Sequence, residues 1–227
     1  ISHELRSPLQ RLDVALTLAR KGCSPEAAGF LDRADREAGR MGDMIGQILK
    51  LSEVELNPPD TLQSVVDIPA LLAEVAEDAR FEGGRDGKEI VLGTIHDMPG
   101  IRGDENTLRS AVEEVVRNAL RVTPSGTSVE IGAERSAEGI VVSVRDHGPG
   151  LPEGELTRIF RPFYRVDTVR DRESGGVGLG LAIAERAVRC HGGTIAARNA
   201  SEGLLVEITL PLGGAFASSP GQGRSGA

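Results

Sequence analysis

Tryptophan is absent from this sequence, tyrosine occurs once and phenylalanine five times. Against so sparse an aromatic background, the crowding of Phe160, Phe163 and Tyr164 into one short stretch stands out. Positive charge is also in short supply: 26 Lys and Arg face 34 Asp and Glu, a formal net charge of −8. That balance argues against nucleic acid as the main partner, because neutralising phosphates needs a basic face. The two cysteines, Cys23 and Cys190, lie far apart and outside any His/Cys cluster. This excludes a disulfide framework or a thiolate metal site and fits a reducing compartment. No apolar run is long enough to span a bilayer, and no signal peptide is visible. The chain begins at Ile1, inside a helical pattern and without an initiator Met, so it reads as a fragment of a longer protein. The hydrophobic share of 39% and the charged share of 26% are ordinary for a soluble protein of 227 residues.

Two helical patterns open the chain. Leu5, Leu9, Leu12, Leu16 and Ala19 recur at steps of four and three, predicting an amphipathic helix to about residue 21. After a turn at Lys21-Gly22-Cys23, Ser24 and Pro25 supply an N-cap and a first helical residue. The second helix carries Ala27, Leu31, Ala34, Ala38, Met41, Ile45 and Ile48 and is predicted to end near Leu51. A lone hairpin cannot enclose its apolar seam, whereas two form a four-helix bundle. Residues 1–56 therefore read as a homodimerisation module; the alternative is a hairpin packed on its own C-terminal domain.

Asn57-Pro58-Pro59-Asp60 breaks the helix and opens a linker, 57–67, before a domain predicted over 68–212. There the pattern becomes mixed α/β. A short strand is predicted near 63–67, a helix over 69–82, strands at 89–94 and 101–102, and a helix capped by Asp104 and ending near Val122. A hairpin of 129–134 and 140–145, a short helix near 153–160, a helix over 179–190 and a last hairpin of 194–198 and 204–210 follow. Residues 213–227, rich in Gly, Ser and Ala, are expected to be a disordered tail.

Five places carry chemistry. Asp146 ends an apolar run and precedes a turn with Gly148 and Gly150; Gly176, Gly178 and Gly180 lie in a glycine-rich run that opens a helix. Backbone N–H groups at such a helix start form a nest for phosphate, although most Gly-rich turns only turn. Glu114, Asn118 and Arg121 follow each other at steps of four and three and share a helix face. A carboxylate and an amide oxygen suit Mg²⁺, and an arginine suits phosphate; a solvated face of ion pairs is the alternative. His3 falls opposite the leucine seam with Ser7 one turn on and Glu4 beside it. An imidazole oriented by a carboxylate keeps one lone pair free for nucleophilic attack, yet an exposed His is more often only solvated. The stretch from Ile159 to Arg165, with Arg170 and Arg172 beyond, reads either as a lid anchored by Phe160 and Phe163 or as a satellite core cluster.

Taken together these segments resemble a family. Ser2-His3-Glu4-Leu5-Arg6-Ser7-Pro8-Leu9 resembles the phosphoacceptor box of sensor histidine kinases, and Asn118-Ala119-Leu120-Arg121 their N-box. Asp146-x-Gly148-x-Gly150, Phe160-x-Pro162-Phe163 and Gly176-x-Gly178-Leu179-Gly180-Leu181 resemble, in the family's order, the first glycine box, the F-box and the second glycine box. The run from Ile159 to Leu181, with Glu114 ahead of Asn118, looks most like envelope-stress sensor kinases of the Cpx type.

The resemblance implies an α + α/β chain: a helical-hairpin dimerisation module followed by a Bergerat-fold α/β sandwich with a mixed sheet. It implies ATP and Mg²⁺ as cofactors. Asp146 would bind the adenine amino group and Asn118 the metal. The glycines would shape the pocket and its lid. His3 would accept the γ-phosphoryl group with Glu4 as base or orienting partner, before transfer to an Asp of a response regulator receiver domain. It further implies that this is the cytoplasmic portion of a bacterial inner-membrane protein. Three positions depart from the common pattern. Ser7 stands where many relatives have Thr or Asn, residues linked to regulator dephosphorylation. Val122 replaces an aromatic near the adenine, and Glu114 replaces an Asn and is expected to contact Mg²⁺. Two other readings remain: an ATPase that hydrolyses ATP to change shape, which leaves His3 without a role, and a non-catalytic scaffold.

Overall fold

The computed structural model describes residues 12, 14–20, 24–56, 64–84, 86–93, 95, 98–166 and 177–212. The hairpin turn, the Pro-rich break and the tail expected from the sequence lie outside these residues. Residues 14–20 are helical, and α1 spans Pro25–Leu56, a turn longer than the apolar rhythm alone suggests. Ser24 caps α1, its Oγ accepting from the Ala27 N–H at 3.3 Å. Arg20 reaches across to Asp32 and Asp35 at 2.7 and 3.0 Å. Along these helices Leu12, Val14, Leu18, Phe30, Met41, Met44 and Ile48 stay exposed, whereas Ala38 and Leu49 are buried.

The α/β part is a two-layer sandwich. Strands β2 (Glu89–Leu92), β4 (Ser128–Arg135), β5 (Ile140–Arg145), β6 (Thr194–Asn199) and β7 (Leu204–Leu210) form one sheet in the order β2-β4-β5-β7-β6. Only the β2–β4 pair is parallel, so the sheet is mixed. Strands β1 (Ser64–Val66) and β3 (Ile101–Gly103) pair separately and antiparallel. Burial alternates along the central strands: Val129 and Ile131, then Ile140, Val142 and Val144, then Val206 and Ile208, all face the core. That period of two marks a sheet covered on one face.

The cover is helical: α2 (Ile68–Gly84), α3 (Glu105–Val122) and α4 (Gly180–Cys190). The middle helix, α3, packs against both neighbours and starts where Asp104 Oδ1 accepts from the Thr107 N–H at 2.7 Å. Arg109 bonds Glu74, Asp78 and Glu113 and so ties α2 to α3. The same end of the layer is closed by His191, 6% exposed. Its Nε2 accepts from the Asp104 N–H at 3.0 Å, and its Nδ1 donates to the Ala187 carbonyl at 2.7 Å.

The segment expected as one short helix at 153–160 is instead two 3₁₀ turns, Glu153–Glu155 and Arg158–Phe160. With Gly154 inside it and few residues available, the i→i+3 bond is reached where an α-helical nucleus is not. Helix α1 also lies against α4. The hairpin thus both leaves an apolar stripe uncovered and touches its own α/β domain, two arrangements that the sequence presented as alternatives.

Candidate nucleotide site

The sheet and α3 diverge at one end of the sandwich and leave a cavity of about 450 Å³. Helix α3 presents Glu114, Arg117, Asn118, Arg121 and Val122 to it, a stripe on the flank next to the helix's buried face. The chain leaving β5 contributes Asp146, Pro149, Gly150 and Leu151; the first residue of β7 contributes Leu204; the approach to α4 and its first turn contribute Gly178, Gly180 and Leu181.

Asp146 is the best-defined polar group here. It is 3% exposed, and its Oδ1 accepts the N–H of Gly148 at 2.8 Å and of Leu204 at 3.0 Å. Its own N–H donates to the Leu204 carbonyl at 2.9 Å. Both side-chain bonds fall on one oxygen, leaving Oδ2 as the acceptor that a ligand's N–H can use. Burial pushes the carboxyl above its ordinary range, and the Leu204 and Gly148 N–H groups pull it back. The approach of the β7 turn needs Gly203, at φ +80°, where a Cβ would lie 1.9 Å from the Asp146 carbonyl oxygen. Gly150, at φ +67°, sits against Asn199, whose side chain bonds both the N–H and the carbonyl of Leu151, at 2.9 and 2.7 Å. Val122, Leu151, Ile159, Leu181 and Leu204 supply apolar walls beside Asp146, which is what a flat heteroaromatic ring with an exocyclic donor needs.

The opposite end is charged. Glu114 is 4% exposed; Arg117 Nη1 lies 3.2 Å from its Oε1 and Lys50 Nζ, from α1, 3.8 Å from the same atom. Gly180 packs on it so closely that a Cβ there would stand 2.6 Å from Oε2. Helix α4 starts here with no side-chain cap from Leu179, and its N-terminal Gly180 lines the cavity with Arg117, Arg121 and Arg165, a setting that suits an anion. Asn118, one turn from Glu114, adds an amide oxygen. No cluster of three or more His, Cys, Asp or Glu that could hold a metal exists among the described residues. Two protein oxygens suit Mg²⁺, which keeps waters and takes the rest of its shell from substrate phosphates.

Of the residues singled out in the sequence, Glu114, Asn118, Arg121, Asp146, Gly150, Gly178 and Gly180 line the cavity, and Gly148 lies behind it against Asp146 and Val122. Phe160 and Phe163 do not line it. Phe160 is 6% exposed in the core, and Phe163 is exposed at φ +62°, its N–H bonded to the Gly178 carbonyl at 2.8 Å. Tyr164 reaches the cavity instead, its hydroxyl donating to Glu155 while Arg158 sits 4.5 Å over its ring. His3, Glu4, Ser7 and Gly176 lie outside the described residues. The sequence reading missed Gly203, Leu204, Asn199 and Gln47, and noticed Tyr164 only as part of the aromatic stretch. No local signal marks the first three, because only the β5–β7 and β6–β7 pairings carry them to Asp146 and its loop.

Residues 103–214 match the family described as histidine kinase-, DNA gyrase B- and HSP90-like ATPases, and residues 1–57 match the His Kinase A phospho-acceptor domain. The chain is 41% identical to the sensor histidine kinase CpxA of Escherichia coli (strain K12) over 218 residues, 93% of this chain and 46% of that protein. The chain belongs to the sensor histidine kinase family.

Other sensor histidine kinases agree. The sensor protein PfeS of Pseudomonas aeruginosa is 34% identical over 93% of this chain and 45% of its own length. Among solved structures, full-length ShkA in complex with AMPPNP superposes with a TM-score of 0.72 at 26% identity, covering 95% of this chain and 46% of ShkA. The mycobacterial sensor histidine kinase MprB superposes at 0.56 and 28% identity, over 66% of this chain and 97% of that structure. The chain spans about half the length of the curated relatives it matches. Most of the residues lining the cavity beside Asp146 fall within the stretch that matches the ATPase-like family.

Proposed function

We propose that this chain is the catalytic core of a dimeric sensor kinase that uses Mg-ATP to phosphorylate its own His3 and passes the phosphoryl group to an Asp of a response regulator. The observation that carries the ATP end is Asp146: a buried carboxylate, oriented through one oxygen by two backbone N–H groups and flanked by aliphatic walls, suits the adenine amino group. Across the cleft, Asn118 and Glu114 would hold Mg²⁺, which when bound neutralises phosphate charge and orients the γ-phosphoryl group. Arg117, Arg121 and the N-terminus of α4 would take the remaining phosphate charge. At His3 the ring nitrogen's lone pair attacks the γ-phosphorus as the bond to the β–γ bridging oxygen breaks. ADP leaves with that electron pair, and the ring's other N–H proton is held by Glu4. The partner copy is supported by the exposed apolar stripe from Leu12 to Ile48, and Ser7 is a candidate for positioning the water of regulator dephosphorylation.

The experiment is incubation with γ-labelled ATP. Label on an imidazole nitrogen is lost in acid and kept in base, because ring protonation makes a good leaving group; phosphoserine behaves oppositely. Acid-labile label that disappears in His3→Gln, with nucleotide affinity unchanged, is the expected result. Acid-stable label would place the phosphoryl group on a hydroxyl and overturn the His3 reading, and release of free phosphate without labelled protein would overturn it in favour of hydrolysis.

A further inference from the structure

Helix α1 is not only a dimerisation element; it forms one wall of the nucleotide cleft. Gln47 lines the cavity, and its Oε1 is buried with no hydrogen-bond partner in the described protein. Lys50, three residues on and therefore on the same face, places Nζ 3.8 Å from Oε1 of Glu114. Leu49 between them is 8% exposed, so this part of α1 is seated against the domain. Glu114 is among the least exposed charged side chains of the described chain, and its Oε1 is approached by two cations. Arg117 comes from Glu114's own helix, whereas Lys50 comes from a separate element, α1.

We infer that Lys50 and the nucleotide-bound divalent cation compete for Glu114, so that seating of α1 on the cleft and binding of the metal–nucleotide complex oppose one another. The inference rests on the reading of Glu114 and Asn118 as the metal-facing pair. A carboxylate approached by two cations has its negative charge largely compensated, and a divalent cation brought beside it is repelled by an ammonium at that distance. Metal–nucleotide binding therefore favours release of Lys50, and release of α1 favours the metal–nucleotide complex by the same factor, as linkage requires. A nucleotide without metal brings no cation to Glu114 and does not contest the pair. The consequence is a coupling built into one ion pair. Whatever holds α1 against the α/β domain lowers affinity for the loaded nucleotide, and whatever lifts it frees the carboxylate.

The test uses the whole chain, titrated calorimetrically with AMPPNP in Mg²⁺ and in EDTA. Lys50→Met keeps the apolar stem and removes the charge. It is expected to tighten Mg-AMPPNP binding about fivefold and to leave metal-free binding within about twofold of the unmodified chain. Lys50→Arg is expected to restore the original affinities. Unchanged or weaker Mg-AMPPNP binding in Lys50→Met overturns the competition, and weakening of both forms would make Lys50 a phosphate contact instead. Asn118→Ala separates the two failures. If Mg²⁺ no longer strengthens nucleotide binding in that variant, the metal reading stands, and an inert Lys50→Met overturns the competition alone. If Asn118→Ala keeps its full metal dependence, the metal reading falls and the competition falls with it.

Discussion

At the scale of a residue, Asp146 shows how a buried carboxylate lining the cavity is held in place at the expense of stability. Its pKa is raised chiefly by burial, so the folded protein binds this proton more tightly than the unfolded chain. The stabilisation that follows is fully present below the ordinary carboxylate pKa of about 4 and is lost as pH rises through the raised native value. At neutral pH the ionised group is a net cost, offset in part by the Leu204 and Gly148 N–H bonds. Asp146→Asn keeps an Oδ1 for both donors and turns the ligand-facing acceptor into a donor. Nucleotide affinity is expected to fall about 10- to 100-fold, the range for a lost hydrogen bond to a charged group. Thermal unfolding of the free variant at pH 7 should occur at or above the unmodified temperature. A variant that melts lower yet binds ATP normally would reverse the assignment of strain and function at this position.

At the scale of an element, the ends of α3 and α4 are clipped together by one imidazole. His191 is buried and satisfied only as a neutral ring, Nδ1–H toward Ala187 and Nε2 open to the Asp104 N–H. Its pKa is lowered by burial, against the opposing pull of the Ala187 carbonyl and of Asp104. Because the native pKa is depressed, the unfolded state binds the extra proton first. Stability is fully present above about pH 6.5 and is lost as pH falls through the native value. Urea midpoints between pH 5 and 7.5 should show this decline in the unmodified chain and a flatter profile in His191→Leu. That variant strands the Asp104 N–H and is expected to lose about 1–3 kcal/mol at pH 7.5. The clip was invisible in the sequence, since its partners are 87 residues apart. The elements it joins were legible: Asp104 read as a cap, and α3 and α4 lie within a residue or so of their expected spans. The two 3₁₀ turns were not, because seven or eight residues with an internal glycine carry too little periodicity to distinguish one helical turn type from another.

At the scale of the whole molecule, the hairpin leaves unfinished business. Leu18 is 61% exposed and Met41 53%, on helices whose neighbours within the chain do not cover them. A second copy packed against it would bury this stripe as a four-helix bundle does. Sedimentation is expected to give a dimer for the unmodified chain and a monomer for Leu18→Glu combined with Met41→Glu, where two unpaired charges would have to be buried. The charged variant should retain ATP binding, because neither residue lines the cleft. A monomeric unmodified chain would remove the bundle.

What the sequence determined by itself is local. The helix rhythm, the caps at Ser24 and Asp104, the alternation along β4 and β5, and the order of the glycine boxes all sit in segments of a few residues, where chain geometry dictates spacing. Those segments also carried the resemblance to histidine kinases, and α3 alone aligned Glu114, Asn118 and Arg121 on one face. What only the tertiary structure decided is which distant groups meet. Strand pairing brings Gly203 and Leu204 onto Asp146, and helix packing seats α1 so that Lys50 approaches Glu114 and Gln47 enters the cleft. The physical reason is that hydrogen-bond register and side-chain close packing act across the fold. They turn an ordinary Gly, Leu, Gln or Lys into part of a site without leaving any mark on its sequence neighbours.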